Sequence, residues 1–272
     1  MYIHDSHVHT KYSFDGARDG SGEIDAIIDT AIARGVDEIS LTDHCDIDNI
    51  LDGIYPEYPA DAIKADIARA KEKYKGKIRI NYGIELGEAH ARPAEARELL
   101  SKYGFDFIIG SLHNLRAYPD FHFLKFDSMT DEHIDYCIRR NLDELYELAC
   151  FGGISTLAHI TYIQRYLALA GRSFDHTGYS DSFERLFRRL TETGTALEIN
   201  TSGLRRNSIT MPGYELLAMY REMGGELITL GSDAHTARDV SLGIEEAAAE
   251  LRRMGFRSQV VVRDGVLSQI EL

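Results

Sequence analysis

His4-Asp5-Ser6-His7-Val8-His9-Thr10 opens the chain with a strand-like run that carries three histidines. Side chains on a strand alternate between faces, so His7 and His9 share one. A second pair of this kind, Asp233 and His235, stands in Gly231-Ser232-Asp233-Ala234-His235 near the other end. Each pair can face one metal ion. What lies between them decides whether the fold brings the two ends together.

Working outward from the first run, Glu23–Arg34 carries apolar residues at helical spacing and stops at Gly35. Val36–Thr42 reads as a second strand and ends in Asp43-His44. The rhythm then repeats. Pro59–Tyr74 reads as a helix and Ile78–Ile84 as a strand ending in Glu85. Arg92–Tyr103 reads as a helix and Phe105–Ser111 as a strand running into His113. Thr130 is a good N-cap for a helix reaching about Ala149. Ile154–Ala158 is a strand ending in His159, and residues 160–179 give no clear pattern beyond a helical turn and a loop. Asp181–Glu192, Pro212–Met223 and Ser241–Met254 read as helices, Thr195–Ile199 and Glu226–Leu230 as strands. Val260–Val262 and Val266–Ile270 flank Asp264-Gly265, a hairpin signal. Alternating short strands and helices predict an α/β fold with a parallel sheet and helices outside. Nothing divides residues 1–272, so a single domain is expected.

The polar residues fall where the strands end: His7 and His9, His44, Glu85, His113, His159, Asn200, then Asp233 and His235. In a (β/α) barrel the C-terminal strand ends converge on one face, where chemistry is built. Chance poorly explains this placement when only 11 of 272 residues are histidine. Imidazoles with carboxylates suit Zn²⁺, Mn²⁺ or Fe. The set exceeds what one ion accepts, so two or three divalent ions are expected, with Glu85 and Asp233 as natural bridges. Such ions generate a bound hydroxide and clamp a phosphoryl or acyl group. His4, His133 and His176 read as ordinary surface or core histidines. His90 and His122 fall in loops that can line the mouth of the site.

Composition narrows the function. Hydrophobic residues make up 44%, and Lys plus Arg total 30 against 44 Asp plus Glu, a net charge of −14. That argues against a broad nucleic-acid interface and disfavours a nuclease. A small phosphorylated substrate remains compatible, because bound ions reverse the local field. No apolar run approaches a membrane helix, and no signal-peptide pattern opens the chain. Cys45, Cys137 and Cys150 are few, odd in number and not in CxxC spacing, as expected of reduced thiols in a cytoplasmic protein.

Taken in order, the motifs resemble the polymerase-and-histidinol-phosphatase (PHP) family. They are Asp5-x-His7-x-His9-Thr10, Leu41-Thr42-Asp43-His44, Gly83-Ile84-Glu85, Gly110-Ser111-Leu112-His113, Ala158-His159, Glu198-Ile199-Asn200 and Gly231-Ser232-Asp233-Ala234-His235. The resemblance implies a distorted (β/α)7 TIM-like barrel with a trinuclear metal site at the C-terminal strand ends. It implies one ion on His7, His9, Glu85 and Asp233, a second on Glu85, His113 and His159, and a third on Asp15, His44 and His235. Asp43 reads as orienting an imidazole, and Cys45 as a buried thiol beside the site. Within the family the chain is most similar to the histidinol-phosphate phosphatases. That implies hydrolysis of L-histidinol phosphate through a metal-bridged hydroxide, with Arg165 and Arg205, and less so Arg206, as phosphate-binding arginines. The rivals are a PHP phosphatase acting on phosphotyrosine proteins or another small phosphoester, a metal-dependent amidohydrolase, and a non-catalytic metal-binding module. The general acid for the leaving group is not identified.

Overall fold

The parallel strands that build the barrel are β1 (His4–Val8), β2 (Glu38–Leu41), β3 (His44–Asp46), β4 (Arg79–Gly87), β5 (Phe107–Ser111), β6 (Thr156–Leu157), β7 (Ala196–Asn200) and β8 (Ile228–Gly231). Their order is β1-β2-β4-β5-β6-β7-β8, with β3 also paired to β4. The computed structural model describes residues 1–205, 209–263 and 266–272; Arg206 and the Asp264-Gly265 hairpin signal lie outside them. Closure comes from residues just past the last strand. The His9 amide donates to the Ala234 carbonyl at 2.8 Å, and the Asp233 amide donates to the His7 carbonyl at 2.8 Å. The two ends of the chain are therefore neighbours, as a nearly closed seven-stranded barrel requires.

The helices on the outside are α1 (Ile24–Ala33), α2 (Ile47–Leu51), α3 (Ala60–Lys73), α4 (Pro93–Tyr103), α5 (Asp131–Phe151), α6 (Tyr162–Leu169), α7 (Ser180–Thr193), α8 (Tyr214–Glu222) and α9 (Ile244–Arg253). Their apolar stripes make the main core against the sheet. In α1 the buried residues are Ile24, Ile27, Ile28 and Ala31, one face at a 3.6-residue period. Each such isoleucine contributes about 1.5–3 kcal/mol on burial. Thr130 caps α5, its hydroxyl accepting from the His133 amide at 3.2 Å.

Three expectations need correction. The second strand does not stop at Thr42. It resumes as β3, and both halves hold the same register on β4, Leu41 opposite Tyr82 and His44 opposite Glu85. Given that partner, β4 runs past Glu85 to Gly87, so Glu85 lies inside a strand rather than after it. The short helix α2 then follows, its five residues too few to reveal a period. Residues 162–169 form a full helix, α6, in which Ile163 and Leu167 share one buried face and Arg165, two residues from each, is buried on the opposite side. Burial on both sides, one of them by an arginine, hides the amphipathic pattern.

A bulge in β1 sets where its histidines point. Asp5 pairs with Ile39 and Val8 with Leu41, so β1 holds one extra residue between them. That residue reverses the alternation. His4 faces inward at the N-terminal end of the barrel, with its Nε2 2.9 Å from the Ser40 hydroxyl. His7 and His9 face inward at the other end. The C-terminal hairpin, β9 (Ser258–Arg263) with β10 (Val266–Glu271), packs at the His4 end. There Arg263 pairs with buried Glu38 at 2.6 Å, and Val262 packs on Phe107, Ile109 and Ala158. His4 is thus a structural residue, as its sequence context suggests.

Candidate metal centre

Glu85 stands at the middle of the site, fully buried, with a different set of imidazoles on each oxygen. Oε1 lies 2.9 Å from His159 Nε2 and 3.2 Å from His113 Nε2. Oε2 lies 3.2 Å from His7 Nε2, 3.4 Å from His9 Nε2 and 2.8 Å from His44 Nδ1. Oε2 makes no aligned hydrogen bond despite these approaches, and neither does His44 Nδ1. His7 Nε2 and His9 Nε2 are themselves 3.0 Å apart. His159 on Oε1 and the His7–His9 contact have hydrogen-bond alignment, but the atoms crowded around Oε2 do not, as expected of ligands aimed at shared cations.

For His7, His9 and His113 the outer nitrogen explains the aim of the ring. His7 Nδ1 is 2.7 Å from Glu198 Oε1. His9 Nδ1 is 3.0 Å from the Ser13 hydroxyl, which donates to Asp43 Oδ1 at 2.9 Å. Asp43 also accepts from the Thr10 amide at 2.6 Å and the Thr10 hydroxyl at 2.8 Å. His113 Nδ1 is 3.0 Å from Asp46 Oδ1. With the proton assigned to Nδ1 on these partners, each Nε2 lone pair faces the centre. Asp43 therefore orients an imidazole, through Ser13.

The closing end of the barrel supplies the rest. Asp233 Oδ1 lies 3.3 Å from His9 Nε2 and 4.0 Å from His7 Nε2. Asp15 Oδ2 lies 2.9 Å from His235 Nε2 and 3.7 Å from His44 Nε2. His159 and Asp233 both take positive φ, 27° and 52°, a conformation non-glycine residues avoid and that marks functional positions. Gly231 permits the close approach here. A Cβ on it would meet Glu198 Oε1 and His7 Cβ at 2.5 Å. All nine expected ligand residues thus meet in one cluster. Three-residue sets with ligating atoms mutually close include His7/His9/Glu85, His9/His44/His235 and His44/Glu85/His113.

The cluster demands positive charge. Burial would push Glu85 up, but His44, His7 and His113 hold it well below the ordinary carboxylate value. Asp233 is likewise held down, against burial, by His7, His9 and His235. Burial disfavours charge on His7, yet Glu85, Glu198 and Asp233 outweigh it and raise its pKa well above 6.5. His44 and His113 are raised in the same way. His9 differs: burial, then repulsion from His235 and His44, lowers it to about 3 and keeps it neutral.

The site opens into a cavity of about 500 Å³ lined by His44, His113, His159, Asp233 and His235 and by Phe14, Tyr55, Asp120, His122, Tyr162 and Arg165. Arg165 is 9% exposed, donates to the Ser202 hydroxyl at 2.7 Å and leaves its Nε buried with no partner. Arg205 is turned to the backbone, donating to the Ser232 carbonyl at 2.8 Å and the Asp233 carbonyl at 3.3 Å. His122 lines the cavity, whereas His90 is buried 3.1 Å from Glu144 Oε2, away from the mouth. His133 contacts the Tyr118 hydroxyl and His176 approaches Glu215, both outside the site. Cys45 sits in the hydrophobic core, where burial raises its thiol pKa.

Sequence reasoning missed Glu198, Ser13 and Asp46 as members of the site. Glu198 had a signal: it lies two residues before Asn200, hence on the same inward face, and a glutamate inside a buried strand needs a partner. Asp46 has the same relation to His44, but only once β3 is recognised as a strand. Ser13 carried no signal.

A sequence profile of the PHP domain matches residues 5–202. The chain belongs to the PHP domain family. It is 28% identical over 258 residues to the "Probable histidinol-phosphatase" of Thermotoga maritima, spanning 93% of this chain and 92% of that one. It is 28% identical over 264 residues to the histidinol-phosphatase of Lactococcus lactis subsp. lactis, spanning 93% and 91%. The crystal structure of histidinol phosphate phosphatase from Lactococcus lactis subsp. lactis, in complex with zinc, L-histidinol and phosphate, superposes with a TM-score of 0.83. Identity there is 23%, covering 98% of both chains. The matched PHP span ends before Arg205, Asp233 and His235. Among the described residues no helix is long and apolar enough to cross a membrane.

Within this PHP site, Glu198 holds His7 without itself reaching the cavity. Glu198→Gln is expected to weaken metal binding by roughly 10–100-fold, as loss of an orienting carboxylate does. Competition titration with a chromogenic chelator measures this, and wild-type affinity would remove Glu198 from that role.

Proposed function

We propose that the protein is a metal-dependent phosphomonoesterase that hydrolyses L-histidinol phosphate to L-histidinol and inorganic phosphate. The observation that carries this is the two-sided environment of Glu85, opening on a cavity that also holds Arg165. The donor set of imidazoles and carboxylates fits two or three divalent ions of the Zn²⁺, Mn²⁺ or Fe class. His7, His9, Glu85 and Asp233 would hold one, Glu85, His113 and His159 a second, and Asp15, His44 and His235 a third. Such ions, when bound, activate water near neutral pH and neutralise a phosphoryl group.

The chain's own residues do the rest. Arg165 lines the cavity and donates there to the Ser202 hydroxyl at 2.7 Å, a guanidinium placed to suit a phosphate oxygen. Arg205 is the second proposed anchor, held beside the site by its hydrogen bond to the Asp233 carbonyl. Glu198, Ser13–Asp43 and Asp46 hold the rings in place. The phosphorus–oxygen ester bond breaks, water supplies the new oxygen on phosphorus, and the departing alkoxide takes up a proton. A small-molecule ester suits a cavity of about 500 Å³. The names of the two relatives and the ligands in the Lactococcus complex support the same substrate.

Phosphate release from L-histidinol phosphate, set against a panel that includes phosphotyrosine, tests the reading, with elemental analysis of the same preparation. A preference for histidinol phosphate is expected; a flat profile or a phosphotyrosine preference would overturn the substrate. Arg165→Ala is expected to raise KM by roughly 10–100-fold, the worth of a charged hydrogen bond. An unchanged KM would take Arg165 out of the phosphate site.

A further inference from the structure

The far wall of the cavity carries a carboxylate that the hydrolysis reading leaves unused. Asp120 is only 8% exposed, yet among the described residues no lysine or arginine lies within ion-pair distance of it. Its Oδ1 accepts from the His122 amide at 2.7 Å, capping the short turn Phe121–Phe123. Its Oδ2 has only the Tyr55 hydroxyl, at a long 3.4 Å. Burial raises its pKa, and the imidazoles of His113 and His122 offset this only in part, so the charged carboxylate is costly to maintain.

Its surroundings suit an organic cation. Tyr55 stacks on Phe14 at 4.2 Å between ring centroids, and both rings line the cavity. Tyr162 and Tyr166, on the same cavity, sit with their hydroxyls 2.6 Å apart. Aromatic faces beside a carboxylate form a receptor for an ammonium group. The cavity therefore holds two kinds of group: Arg165 and the metal-ligand cluster, suited to phosphate, and Asp120 with aromatic rings, suited to a positive charge on the same small molecule. Tyr162, 5.1 Å from the Arg165 guanidinium, and Phe14, stacked on His44 at 5.0 Å, adjoin both.

We propose that Asp120 is the specificity residue that receives the primary ammonium group of the substrate, selecting phosphomonoesters of amino alcohols over uncharged ones. This rests on the histidinol phosphate reading above. The ammonium is preferred to the imidazole as the group bound, because an imidazole is mostly neutral above its pKa of about 6.5 whereas an ammonium stays charged.

The test compares kcat/KM for L-histidinol phosphate and for its deamino analogue, an imidazolylpropyl phosphate, with metal-loaded wild type and Asp120→Asn. The asparagine keeps an oxygen for the turn cap and removes the charge. Wild type is expected to favour the amine ester by roughly 10–100-fold, the range of a desolvated charged hydrogen bond. Asp120→Asn is expected to bring that ratio close to one. A structural role alone would slow both esters in parallel and leave the ratio unchanged, which would overturn the proposal. Should the variant fail to fold, the wild-type ratio still decides, since equal kcat/KM for the two esters also overturns it. Failure of the underlying reading is distinct: wild type would then release no phosphate from the histidinol ester while still cleaving others.

Discussion

Glu85→Gln is expected to lower phosphate release from L-histidinol phosphate by about a thousandfold or more, roughly 4 kcal/mol of transition-state stabilisation. The substitution barely changes shape, so the effect isolates charge. Five imidazoles approach the two carboxylate oxygens of Glu85, three of them on Oε2. An amide places either a weaker oxygen or an NH₂ group among ring nitrogens that need an anion. Both proposed ions that share Glu85 then lose a ligand at once. The backbone of residue 85 stays paired with His44 and Ile109, so the barrel persists. Circular dichroism near that of wild type, with turnover and metal content both reduced, is the expected combination. Near-wild-type turnover would sink the assignment.

Removal of divalent metal by a strong chelator should abolish turnover to background and lower the melting temperature, with both restored by added Zn²⁺ or Mn²⁺. The stability change follows because the site binds metal only when folded, so occupancy adds RT ln(1 + [L]/Kd). The pH dependence has a definite sign. Metal uptake displaces the protons that Glu85, Glu198, Asp233, Asp15 and Asp46 hold on His7, His44 and His113 against their burial. Those protons persist above the ordinary value near 6.5, so metal affinity falls as pH is lowered toward it. Thermal melts across pH, with and without metal, measure both effects. Full turnover in a preparation shown by elemental analysis to lack divalent metal would end the account.

The barrel was readable because its strands are short, apolar and separated by helices of clear period. The ligand residues were readable because barrel chemistry collects at strand ends, and histidine is rare enough for its placement there to stand out. What escaped notice depended on contacts rather than pattern. The β3 strand exists because β4 offers it a partner, and it carries Asp46 to His113. Glu198 looks like one more residue of a buried strand until His7 is seen 2.7 Å away. Arg165 is buried on the cavity side of α6, opposite Ile163 and Leu167, and so obscures the helical period. Arg205 donates to the carbonyls of Ser232 and Asp233, tertiary contacts that no local signal reveals.

The central claim is that Glu85 joins two ions, with the two ends of the chain sharing one of them. Anomalous diffraction from crystals of the zinc-loaded protein tests it most directly. The account predicts an ion within coordinating distance, about 2.0–2.2 Å, of His7, His9, Asp233 and Glu85, and another on Glu85, His113 and His159. Zinc bound elsewhere, or a Glu85 that touches no ion, would contradict it.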